Sequence, residues 1–169
     1  MPKIASDQKI RVIAYSGLLA AAITLATAFL KVPTMVGYVH LGDGFIFLAA
    51  ALLGPIGAIA SAIGSGLADL IAGYGIYVPA TIIIKGLMGL VAAWGIKNNA
   101  SVLRCILIFT ICEIIMVGGY FSYDSILYGV KTAAAVLLFN TIQGIAGVVI
   151  GTVLVPLVKR RINNDLLDK

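Results

Sequence analysis

Residues 39–86 read VHLGDGFIFLAAALLGPIGAIASAIGSGLADLIAGYGIYVPATIIIKG. The stretch is apolar enough to face lipid, yet it holds Asp43, Asp69 and Lys85. His40, Tyr74 and Tyr77 stand near its apparent turns, with Tyr38 just upstream. Gly54-Pro55 divides it, since proline fits the first turn of a new helix after a tight turn. Two spans follow, about 43–53 and 55–72. The first is short for a full crossing, so a re-entrant pair is the competing arrangement. A third span, about 78–96, opens at Pro79 and carries Lys85.

The rest of the chain agrees with a membrane solvent. Of its 169 residues, 61% are hydrophobic and 11% are charged, against about 45–50% and about 25% in soluble domains. Mean hydropathy is +1.09. Val12–Leu30 carries no charge and predicts a retained helix over about 11–30 rather than a cleaved signal peptide. Further spans are expected at about 102–119 and 131–158, the last bent by Pro156 near its end. The expected fold is therefore an all-α integral membrane protein, one six-helix domain covering 1–169.

The net charge of +5 is a matter of topology rather than of nucleic-acid binding. Lys3, Lys9, Arg11, Lys97, Arg104, Lys159, Arg160, Arg161 and Lys169 all fall at span ends on one side. Only Lys31 and Lys131 fall on the other. Positive charge collects in the cytoplasm, so both termini are expected inside, with loops 31–42, 73–77 and 120–130 outside. Cys105 and Cys112 lie about 10 Å apart along one helix, too far for a disulfide.

Several motifs are missing. There is no phosphate-binding glycine loop and no G-x-S-x-G element. One histidine and two separated cysteines make no transition-metal site. No catalytic residue and no cofactor are expected in this chain, and a membrane enzyme is disfavoured. Uphill transport would need a partner or an ion.

The polar side chains share a depth. Lys85 and Glu113 each lie about seven residues, roughly 10 Å, below the outer surface by this span assignment, and could pair. Asp69 is close to the outer end of its span and Asp43 begins one. Asn140 and Gln143 sit almost one turn apart on one helix face. A charge inside a span costs at least about 2.5–3.5 kcal/mol and is normally paired or lines a cavity. Convergence on one outward-facing cup is the economical arrangement, with a rim drawn from Tyr38, His40, Tyr74, Tyr77, Tyr120, Phe121, Tyr123, Asp124 and Tyr128. Rings over a few hydrogen-bonding groups suit a small flat ligand. Plainer roles stay open: an interfacial tyrosine belt, a structural Lys–Glu pair, a surface histidine, and Asp43 as a helix N-cap.

Small residues recur four apart. Gly17 with Ala21 and Ala22 with Ala26 do so in the span over about 11–30, and Ala58 with Ala62 and Ser61 with Ser65 in the span over about 55–72. They allow close helix approach, either internally or against a membrane partner.

Taken together, the Gly-Asp, Gly-Pro and Ala-Asp-Leu…Tyr…Pro-Ala-Thr…Lys-Gly series of residues 41–89 resembles the S components of energy-coupling factor (ECF) vitamin transporters. GGYF at 118–121 and FNTIQGIAGVVIG at 139–151 extend the likeness. It is nearest the hydroxymethylpyrimidine or pyridoxine group, with riboflavin less favoured. The resemblance implies a compact six-helix bundle in a bacterial cell membrane that captures a B vitamin or precursor from outside. It implies docking through small residues, Ala22 and Ala26 foremost, on a transmembrane coupling protein with two ATP-binding-cassette ATPases, which alone use ATP. It further implies that the subunit topples to deliver its cargo. Phe139 stands where the family often has proline before the asparagine. The expected binders are Lys85, Glu113, Asn140 and Gln143, closed over by Tyr74, Tyr77 and Tyr120 with His40 in a lid. The rival is a stand-alone carrier using Lys85 and Glu113 to couple protons.

Overall fold

The computed structural model describes residues 4–96 and 101–162, and side chains over 8–96 and 101–159. Six helices follow in order: α1 (Ile4–Phe29), α2 (Asp43–Leu53), α3 (Pro55–Ala72), α4 (Val78–Gly95), α5 (Val102–Tyr128) and α6 (Val130–Ile162). Between α1 and α2 a small antiparallel hairpin pairs β1 (Lys31–Pro33) with β2 (Tyr38–His40), Lys31 opposite His40. Lys3, Lys97 and Lys169, and the side chains of Arg160 and Arg161, lie outside the described residues.

Five helices are long and apolar enough to cross a membrane. At 11 residues, α2 is about 16 Å long, roughly half a hydrocarbon core. It descends and turns at Gly54, whose φ of 59° and ψ of −139° belong to a backbone region open essentially only to glycine. Pro55 then starts α3, its missing N–H costing nothing in a first turn. The tightness of this turn brings Gly57 against the Ala49 carbonyl, where a Cβ would overlap it.

Large apolar side chains face outward along the long helices, among them Leu18, Ile59, Ile83, Ile114 and Ile145, the arrangement a lipid solvent selects. Inward faces follow helical spacing. On α4 they are Thr81, Lys85, Met88 and Ala92; on α5, Cys105, Phe109, Cys112 and Met116. Both cysteines are buried and free. Phe47 and Phe109 stack at 4.1 Å in the centre.

Small residues set the helix spacing inside this bundle. A Cβ on Gly64 would meet the Ala20 carbonyl at 2.6 Å, and one on Gly89 the Cα of Ala58 at 2.7 Å. Thr24 Oγ1 donates to the Gly64 carbonyl at 2.8 Å. Ala26 and Ala58, expected on a docking face, are instead 3% and 4% exposed. Ala58 packs against Gly89 of α4. Ala22 and Ala62 are half-buried.

The boundaries that differ most from expectation are the start of α1, at Ile4 rather than about 11, and the end of α5. The fifth helix runs through Gly118-Gly119 to Tyr128 rather than stopping near 119. Gly129, at φ 85°, then turns the chain directly into α6, so the expected loop 120–130 is mostly helix.

Candidate functional site

Helix direction alternates, so one end of the bundle collects the hairpin, the C-terminal ends of α3 and α5, and the N-terminal ends of α2, α4 and α6. The aromatic residues meet there. Tyr38 and Tyr74 lie 4.9 Å apart, Tyr77 and Tyr120 6.3 Å, and Tyr77 and Tyr123 5.7 Å between ring centroids. Tyr38, Tyr77 and Tyr120 line a cavity of about 40 Å³, room for a few waters. From the hairpin, Thr34, Gly37, Tyr38 and His40 form its roof; Asp69, Thr81, Asp124 and Asn140 contribute to its walls. The turn beneath the hairpin tip is tight, Thr34 N–H donating to the Gly37 carbonyl at 2.8 Å.

One hydrogen-bonded chain ties the roof to the bundle. The His40 backbone N–H donates to Gln143 Oε1 at 3.0 Å. Gln143 Nε2 donates to Asp43 Oδ2 at 2.7 Å, and Lys85 Nζ reaches Asp43 Oδ1 at 2.6 Å. Both ends of that ion pair are fully buried. The ammonium also lies 5.5 Å from the centroid of Tyr120, a cation–π distance. Tyr120 in turn shares a 2.9 Å hydrogen bond with Thr81.

Asp43 is thus not an N-cap. Gly42 occupies that position, without a side-chain cap, and Asp43 points from the first turn of α2 into the bundle. Lys85 does not pair with Glu113 either, because Asp43 reaches it first. Glu113 lies 5% exposed, and neither carboxyl oxygen has a hydrogen-bond partner. It rests on Gly144 and Gly147 of α6, where a Cβ on Gly147 would overlap Oε1. Equal depth for Glu113 and Lys85 would require α5 to stop near 119. With α5 ending at Tyr128, Glu113 lies 15 residues, about 22 Å, from that end.

His40 is buried rather than a surface residue. Its Nδ1 accepts the Gly42 N–H at 3.1 Å, which places the ring proton on Nε2. Burial, with the Lys85 charge adding, pushes its pKa down to about 4.

Two carboxylates complete the cup. Tyr38 donates its phenol to Asp69 Oδ1 at 2.5 Å, and Tyr77 donates to Asp124 Oδ1 at 2.6 Å. Burial and the Asp69 charge raise the Tyr38 pKa, keeping that phenol a donor. The second oxygen of Asp69, a residue 4% exposed, has no partner.

Of the expected binders, Tyr77, Tyr120, His40, Asn140 and Gln143 line the cavity. Lys85 lies one turn deeper than Thr81 on α4, and Glu113 two turns deeper than Tyr120 on α5. Tyr74 packs behind Tyr38. Tyr38, Thr81, Asp69 and Asp124 also line the cavity and were not among the expected binders. For Asp69 the signal was present: a carboxylate one turn before a Gly-Tyr-Gly turn in an apolar span.

Comparison with known proteins gives a consistent picture. The family described as ECF-type riboflavin transporter, S component, matches residues 7–160. A Pyrococcus woesei protein described only as an uncharacterized protein in a gap 3′ region is 36% identical over 144 residues, covering 83% of this chain and 97% of its own. The thiamine precursor transporter HmpT of Lactococcus lactis subsp. cremoris (strain MG1363) is 35% identical over 119 residues, 70% of this chain and 68% of its own.

Proposed function

We propose, from the premise that this chain belongs to the ECF-type riboflavin transporter S component family, that it is the substrate-capturing membrane subunit of an ATP-driven importer for a B vitamin or precursor. Pyridoxine and hydroxymethylpyrimidine are favoured over riboflavin. The relative that transports a thiamine precursor supports a pyrimidine. The observation that carries the reading is the single cup of rings and hydrogen-bonding groups at one end of the bundle, roofed by a short hairpin.

A ring of vitamin size exceeds the cavity, so capture requires the hairpin roof to lift and settle again over the ligand. Asn140 and Gln143 orient the ring by hydrogen bonds; Tyr77 and Tyr120 supply stacking area. Lys85 and Glu113 act from below, by holding the floor. The cup faces outside, a direction supported by Lys9, Arg11, Arg104 and Lys159 lying at the opposite end. A coupling protein with two ATPases docks on the lipid-facing side of α1 and α3, where Gly17 and Ala21 are exposed and Ala22 and Ala62 half-exposed. The test is equilibrium binding of tritiated pyridoxine and hydroxymethylpyrimidine to purified protein. Tight binding that Asn140→Ala weakens at least tenfold is the expected result. Affinity unchanged by Asn140→Ala and by Tyr120→Ala would remove the cup as the site.

A further inference from the structure

Asp69 and Asp124 do not serve the floor network, and among the described residues neither has a cationic partner. Each bonds one phenol. Both line the cavity. Asp69 keeps an unpartnered oxygen in a buried wall, an expensive arrangement unless something else bonds it. The nearest cation below is Lys85, already engaged by Asp43 at 2.6 Å and covered by Tyr120. Lys31 lies over the Tyr38 ring at 5.2 Å and is not part of the cavity lining. The cup is therefore rich in hydrogen-bond acceptors.

We infer that Asp69 and Asp124 are the specificity determinants of the cup, exchanging their tyrosine partners for N–H donors of the ligand. The ligand is then an amino-substituted nitrogen heteroaromatic ring, bound with a proton on the ring nitrogen beside its amino group and without a phosphate. This inference rests on the capture reading above. The exchange is nearly balanced for Asp124, where one donor replaces another. Asp69 gains, because a ring nitrogen that takes up a proton from solvent beside an amino group presents, with that group, two parallel donors to one carboxylate, filling both oxygens with charge-assisted bonds. A phosphate ester brings negative charge toward two carboxylates with no free cation to receive it, and is rejected. A pyridine with only hydroxyl groups has no amino N–H beside its ring nitrogen, so it cannot fill both oxygens of one carboxylate in this way.

The experiment is calorimetric titration of the purified full chain with 4-amino-5-hydroxymethyl-2-methylpyrimidine, its 4-deamino analogue, its phosphate monoester, pyridoxine and riboflavin. The amino compound is expected to bind at least tenfold more tightly than each of the others. Asp69→Asn and Asp124→Asn should each weaken it tenfold or more. Tyr38→Phe, which removes only the competing phenol, should leave its affinity equal or improved. If Asp69→Asn fails to fold, the ligand series on unaltered protein and Tyr38→Phe decide the matter. Tight binding of the deamino analogue, the phosphate ester, pyridoxine or riboflavin at parity with the amino compound overturns the inference and leaves the capture reading intact. Binding of none of the five overturns both.

Discussion

Removing the Lys85 ammonium would leave Asp43 a fully buried carboxylate with Gln143 as its remaining partner. Breaking one side of a buried ion pair typically costs about 3–5 kcal/mol, whereas replacing both sides by uncharged groups of similar size is often neutral. Lys85→Ala should accordingly lower the melting temperature in detergent sharply, and Lys85→Met combined with Asp43→Asn should recover most of the loss. A double variant as unstable as Lys85→Ala would show that the damage comes from lost packing rather than from an unpaired charge. Glycine at 147 makes a second residue-scale claim, since its missing Cβ is the space that Glu113 Oε1 occupies. Gly147→Ala should destabilise by about 1–3 kcal/mol through overpacking. Adding Glu113→Ala should return part of that, a coupling that a double-mutant cycle of unfolding free energies measures. Lys85 and Glu113 were both visible in the sequence as costly charges within spans. Their partners were not, because depth along a helix says nothing about which neighbour's first turn lies across from it.

The hairpin is the element whose behaviour depends on pH. Its His40 is held neutral, with the pKa lowered from about 6.5 to about 4 and Nδ1 occupied as an acceptor. Above pH 6.5 the closed and lifted hairpins bind the same number of protons, so closure is insensitive to pH. Between 6.5 and 4 the lifted form takes up a proton that the closed form refuses, and closure weakens as pH falls. Below about 4 both are protonated and the slope ends. The full window is worth on the order of 3 kcal/mol at 1.36 kcal/mol per unit. Hydrogen exchange of the backbone N–H groups of residues 31–42 should therefore quicken from pH 6.5 downward, after correction for intrinsic rates. His40→Asn, which keeps an acceptor near the Gly42 N–H, should flatten that dependence; a slope unchanged in the variant would place the proton elsewhere. Among the elements, the Gly54-Pro55 turn was plain in the sequence because both residues announce it. The hairpin was hidden by strands of three residues each, too short to show alternation. The outer two turns of α5 were hidden by Gly118-Gly119 and the tyrosines after it, which imitate a loop. They stay helical because Tyr123 bonds the Ile76 carbonyl at 2.5 Å and Asp124 bonds Tyr77, contacts made across the bundle and invisible locally. For that reason Asp124 looked like part of a rim rather than part of a wall.

At the scale of the whole molecule the two halves differ in kind. The cup end holds His40, Asp43, Lys85, Asp69, Glu113, Asp124 and Gln143, all buried. Beyond Lys85 the buried face of α4 continues as Met88, Gly89, Ala92 and Ile96, about 16 Å of helix. Opposite it stand Cys112, Phe109 and Cys105 of α5 and the stacked ring of Phe47. These side chains pack to zero or near-zero exposure, so the polar floor does not continue into a path through the bundle. Among the described residues this packing leaves no polar route from the cup to the other end. That separates the two transport schemes, because a proton-coupled carrier needs polar groups reachable in turn from both sides, and a captured ligand can otherwise cross only if the subunit itself is turned. Proteoliposomes containing this chain alone should bind ligand and accumulate none, with or without an imposed pH gradient. Adding a coupling protein with its two ATPases and ATP should start uptake. Accumulation by the chain alone that follows the pH gradient, and is abolished by Glu113→Gln, would overturn this and make Glu113 the proton-binding group of a carrier.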